Sequence, residues 1–209
     1  MMLAMMFWFF QEMAGMDHMH MEHMNMGPDE LSLFNHHFAG TLLILTAVFG
    51  FIEESPLRKY RWARYLWPLP LMVLAIYLLL RSDSEHVSGL ALSHILADPE
   101  AVQHKLFALL AMGIALLELL RRTGHLKHLA WSYILYTGMV AGGIFLLLHG
   151  GHHSMAVHEQ HRIMGITAIS IGVVKALGDI LKNQIWLRSI ALPMAMLALG
   201  IELVRYYEP

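Results

Sequence analysis

The chain has 209 residues, 57% hydrophobic and only 14% charged, with 14 Lys and Arg against 16 Asp and Glu for a formal net charge of −2. A soluble domain of this size ordinarily carries about 25% charged residues, so the composition points to a lipid bilayer as solvent, and the few basic residues sit in short clusters with no basic face for nucleic acid. There is no cysteine, which excludes a disulfide framework, a thiolate zinc site and iron–sulfur ligation, and leaves His, Met, carboxylate and backbone as the available metal ligands.

In chain order, the first fourteen residues contain the apolar run Met1–Phe10 but neither the positive region nor the usual length of a secretory signal, so they read as a short interfacial anchor or an unusual, cleavable leader. The next segment, Met16–Met26, alternates five Met and three His with acids and has no apolar periodicity with which to fold alone. Residues 1–30 thus read as an apolar segment and a Met/His-rich tail, and residues 31–209 as a transmembrane domain.

A helix needs about 20 mostly apolar residues to cross the hydrocarbon core. Leu33–Ile52, Trp62–Leu80, Leu129–Leu148 and Ile185–Val204 meet that requirement. Val102–Leu120 and His161–Leu177 have shorter apolar stretches, with Glu118 and Lys175 near their far ends, where such side chains reach toward the interface. The expected fold is all-α, a polytopic membrane bundle of about six transmembrane helices.

Arg58, Lys59, Arg61 and Arg64 lie in the first connection, Arg121, Arg122 and Lys127 in the third, and Lys175, Lys182 and Arg188 in the fifth region. Loops rich in Lys and Arg stay in the cytoplasm. The second connection, Ser82–Gln103, is acidic, and the fourth, His149–Gln160, has no Lys or Arg. The second and fourth connections and both termini are therefore expected on the outer side of the membrane.

Helices one, three and five share a pattern: His36-His37-Phe38-Ala39-Gly40, His104-Lys105-Leu106-Phe107-Ala108 and His161-Arg162-Ile163-Met164-Gly165 each put His at the outer mouth and a small residue four positions later. Small residues let helices approach closely. Trp67, Trp131 and Trp186 mark the cytoplasmic starts of the even helices as an aromatic belt would. The chain reads as three helical hairpins. Gly138 and Gly142 form a small-xxx-small match in helix four, read as packing.

With this topology thirteen of the fifteen His, all but His125 and His128, lie at or beyond the outer boundary. Imidazole and thioether are copper ligands, and thioether selects Cu(I). Three candidate sites follow. His18, Met19, His20, Met21, His23 and Met24 of the tail suit low-specificity capture of Cu(I), Ag(I) or Cu(II). His149, His152, His153, Met155, His158 and His161 lie around the fourth connection, where His158 and His161 share a face if the helix begins early. The repeat positions His36, His104 and His161 would converge if the hairpins pack around one axis, leaving an open coordination position. Adjacent His36 and His37 point about 100° apart on a helix, so one of them is expected to face that axis. Glu202, inside helix six, reads as a partner of Arg205 or as a carboxylate orienting a ligating His.

No nucleophile elbow, phosphate loop or zinc-protease motif occurs, which argues against a hydrolytic enzyme. The His-bearing starts of helices one, three and five, the outward His-rich loop and the Met/His tail resemble the bacterial copper-resistance inner-membrane proteins of the CopD (PcoD) type. The resemblance implies copper passage or delivery at the inner membrane with a periplasmic copper-binding partner. The rival reading is a b-type haem redox protein with bis-His ligation, using His36 or His37 with His104, or His149 with His161.

Overall fold

Prolines and one serine set where the helices begin. A computed structural model describes residues 28–60, 62–81, 99–128, 130–148, 154–181 and 183–207, and within them lie the helices α1 (Pro28–Glu54), α2 (Pro68–Arg81), α3 (Pro99–Arg122), α4 (Ala130–Leu147), α5 (Met155–Ile180) and α6 (Leu192–Val204). Pro28, Pro68 and Pro99 open their helices, where a missing N–H costs nothing. Ser154 precedes α5 with an extended backbone, and its hydroxyl accepts from the Val157 N–H at 3.3 Å, satisfying one of the unpaired donors of the first turn. At the far end of α3, Gly124 takes φ +83, and the His125 N–H reaches back to the Leu120 carbonyl at 2.9 Å. Only glycine enters that left-handed conformation without cost, and the turn stops the helix at Arg122.

Four helical segments are long and apolar enough to cross a membrane: Glu30–Glu53, Ala101–Arg122, Ala130–Leu147 and Met155–Ile180. Their surfaces agree with that solvent, since Leu106, Leu109 and Leu116 on α3 and Ile163, Ile166 and Val173 on α5 are exposed. The chain is a membrane protein. Two segments expected to span most easily are instead the shorter ones, Pro68–Arg81 and Ser189–Val204. Proline is the reason in both. Trp62–Leu80, preceded by a 3₁₀ turn at Pro56–Lys59, divides into a single α turn at Ala63–Leu66 and α2 from Pro68. Ahead of Pro193, Leu187–Ala191 winds as a π turn in which the Leu192 N–H donates to the Leu187 carbonyl five residues back, a local rewinding that a missing donor favours.

The odd helices run parallel to one another and antiparallel to the even ones. This follows because His36 meets His161 at one end while Glu53 meets Arg122 at the other. Neighbours in sequence pack side by side, and α6 returns to α1 to close a ring. The most extensive seams are α4 with α5, α1 with α6 and α2 with α3. The larger seams join an even helix to the odd helix that follows it, and the last even helix to the first odd one, while the odd-then-even neighbours suggested by the sequence pattern also touch, less extensively.

Small residues explain the choice of seam. A Cβ on Gly40 would stand 2.6 Å from the Gly200 carbonyl oxygen, one on Gly165 would meet the Gly143 carbonyl at 3.0 Å, and one on Gly172 would meet the Tyr136 carbonyl at 2.9 Å. Backbones this close forgo side chains at the crossing. Ala108 is fully buried in α3. So the small residue four positions after each repeat histidine lies buried, and in α1 and α5 it is the crossing point itself. Gly138 and Gly142 turn toward Leu110 on α3, which makes them packing positions as expected. Between the helices, Ala47, Trp67, Ile171 and Met196 form a buried cluster drawn from α1, the α2 entry, α5 and α6. Trp67 is thus a core residue, while Trp186 is exposed, so the three tryptophans do not make one belt.

Candidate metal centre at the histidine end of the bundle

α1 and α5 start at the same end, and His36 lies in the third turn of α1 and His161 in the second turn of α5. The two imidazole centroids lie 5.7 Å apart with the ring planes inclined by 43°. His161 is 6% exposed. The Nδ1 of His36 lies 2.8 Å from the Ser32 carbonyl oxygen, and since a carbonyl only accepts, Nδ1 carries the proton and the lone pair resides on Nε2. A backbone carbonyl in that role fixes both tautomer and ring orientation, as it does beneath many metal-ligating histidines.

Tyr206, just past α6, forms the floor of the pair. Its ring stacks on His36 with centroids 3.7 Å apart and planes 13° from parallel, and it lies 5.8 Å from the His161 ring. The side chain is 2% exposed and shares a buried cluster with Val157 and Met164 of α5, against which Leu33 and Leu203 pack. The backbone here is tied down on both sides. The His37 Nε2 donates to the Tyr206 carbonyl at 3.1 Å. The Gln160 side chain donates to the Tyr207 carbonyl at 2.9 Å and accepts from the Tyr207 N–H at 3.0 Å. Residues 205–207 thus form a strap across the mouths of α1 and α5. Adjacent His36 and His37 divide their work: one stacks on the tyrosine ring, the other holds its backbone.

Of the third candidate site, then, His36 and His161 come together, and His104 does not join them: among the described residues no three of His, Asp and Glu approach closely enough to hold one ion. α5 does begin early, at Met155, yet His158 and Met155 are exposed where His161 is buried. His18, Met19, His20, Met21, His23 and Met24 of the tail, and His149, His152 and His153 of the fourth connection, lie outside the described residues.

The sequence reading missed Tyr206 and Gln160. A polar Gln immediately before His161 and a Tyr-Tyr pair after the last apolar helix were the available signals, but neither carries a spacing rule, and the contact between them bridges residues 47 apart in sequence. Glu202 also differs from expectation. Its Oε1 accepts from the Thr167 hydroxyl of α5 at 2.8 Å, and no ion pair with Arg205 forms; its Oε2 is buried without a hydrogen-bond partner.

At the opposite end Glu118, its side chain 4% exposed, accepts from Arg121 at 2.5 Å and from Arg122 at 2.9 Å. Arg122 also pairs with Glu53 of α1, and its guanidinium lies 5.4 Å from the Trp67 ring centroid. Lys175 and Asp179 of α5 form a further pair at 2.8 Å. The acids and bases named here balance, so their burial is compensated. Glu118 and Lys175 meet charged partners within the protein and have no need to reach for the headgroups. Comparison with family models, curated proteins and solved structures finds no match to this chain.

Proposed function

We propose that the chain is a six-crossing protein of a bacterial inner membrane, its histidine end and both termini outside, that binds copper for resistance, delivery or transport. The observation that carries this reading is the meeting of His36 and His161 at one end of the bundle. Copper is favoured over harder ions because imidazole and thioether dominate the available ligands at that end: three His and five Met lie within Met16–Met26, which leads directly into α1. The tail gathers ions from outside and presents them to the pair at the bundle mouth. A periplasmic copper-binding protein is the proposed partner, and no enzymatic step is required. The two shorter helices complete the count of crossings, because the turns that precede them, Ala63–Leu66 and Leu187–Ala191, lengthen each toward the hydrocarbon thickness.

The test is metal retention. Purified protein loaded with copper and dialysed keeps the ion and shows no haem absorption band. Deleting residues 16–26 lowers the copper retained while leaving the far-ultraviolet circular dichroism of the bundle unchanged. Colourless protein that loses all copper on dialysis would end this reading, and a strong Soret band would replace it with haem ligation.

A further inference from the structure

Met164 lies one helical turn below His161 on α5, and with 2% of its surface exposed it is among the most completely buried side chains of the described residues. Residues three apart on a helix share a face. Long side chains on a helix also lean toward its N-terminus, which for α5 is the histidine end, so the Met164 side chain is directed toward the turn that carries His161. Met164 further belongs to the same buried cluster as Tyr206, the residue whose ring lies against both His36 and His161. Met112 and Met139 have no such neighbourhood: they sit mid-helix, and Met139 packs in the separate cluster around Trp67 and Met196.

We infer that Met164 is the third ligand of a two-imidazole, one-thioether site with His36 and His161, and that this site takes a soft monovalent ion, Cu(I) or Ag(I). The inference rests on the copper reading above and adds the ligand and the oxidation state. Two physical arguments converge on the monovalent ion. Thioether sulfur is a soft donor that selects Cu(I) over divalent first-row ions. The donors are all neutral as well, since among the described residues no Asp or Glu joins the pair within reach of one ion. The desolvation penalty of an ion moved into a low-dielectric site rises with the square of its charge. With neutral donors alone, a monovalent ion therefore leaves less charge uncompensated than a divalent one. The separation of the imidazoles is suitable, because a metal–nitrogen bond is about 2 Å long and centroids 5.7 Å apart leave room for an ion between the ring edges.

The test titrates the full-length protein in detergent with Cu(I) or Ag(I) against a competing chelator, and separately with Cu(II). Met164→Leu keeps the buried volume nearly constant, a class of swap that cores tolerate well. It is expected to weaken the tightest Cu(I) and Ag(I) component by about tenfold or more, the scale seen when a metal site loses supporting interactions, with Cu(II) binding unchanged; Met139→Leu, in the separate cluster around Trp67 and Met196, serves as control and leaves all three titrations alone. Unchanged Cu(I) affinity in Met164→Leu, or an equal fall for Cu(I) and Cu(II), would overturn the inference while leaving the copper reading intact. If His36→Ala with His161→Ala leaves Cu(I) binding at its original strength, the copper clasp itself fails, and Met164 loses its role with it.

Discussion

Gly143 and Gly113 both lie inside helices, and one added carbon distinguishes them. A Cβ on Gly143 would stand 2.7 Å from the Gly165 carbonyl oxygen and from the Ile169 nitrogen, whereas one on Gly113 meets nothing within 4 Å. Backbone atoms cannot swing aside as a flexible side chain can, so Gly143→Ala forces α4 and α5 apart and is expected to cost about 1–3 kcal/mol. Gly113→Ala is expected to be neutral or to stabilise by up to about 1 kcal/mol, because alanine is the better helix former. Thermal unfolding of the two variants in the same detergent checks the contrast; equal melting temperatures would mean that the α4–α5 seam is not as close as described. His36, His161 and the small residues following them were legible in the sequence, because a repeated spacing on amphiphilic boundaries is a local signal. Tyr206 was not, since its role depends on α6 returning to α1, a contact with no local signature.

Among the helices, the charge network opposite the histidine end ties α1, the α2 entry and α3 together. Truncating Glu118 removes the carboxylate that Arg121 and Arg122 share in a mostly apolar interior. Glu118→Ala is therefore expected to destabilise by about 3 kcal/mol or more. Glu159→Gln breaks the Glu159–Arg162 pair at 3.4 Å, whose side chains are 57% and 62% exposed, and is expected to change stability by less than about 0.5 kcal/mol. Denaturation curves that gave the two substitutions the same effect would contradict the assigned burial of Glu118. The existence of six helices was readable from apolar run length, but the ranking of those runs was not: hydropathy averages over Pro68 and Pro193, and the backbone does not. Pairing was misread for a related reason. A repeat in sequence fixes the period of the unit and leaves its phase open, and the glycines at Gly40, Gly143, Gly165 and Gly200, not the loop lengths, decide which neighbour each helix grips.

For the molecule as a whole, the parallel odd helices put every repeat histidine at one end and the Arg121–Arg122 network at the other. A reporter fused after Arg58 or Arg122 is accordingly expected to be cytoplasmic, and one placed in the fourth connection extracytoplasmic; a reversed result would put the proposed copper site on the wrong side of the membrane. Charge asymmetry is the sequence signal behind that expectation, since it depends on loop composition and not on packing.

Ring closure by α1 and α6 also governs biogenesis. The imidazole from the first helix and its tyrosine seat are separated by 170 positions of chain, so a ribosome must pass residue 206 before the two can meet. Any nascent intermediate inserted into the bilayer short of that point holds neither a stacked His36 nor the Gln160 clamp on Tyr207. The mouth of the bundle is thereby assembled only after the helices that carry it.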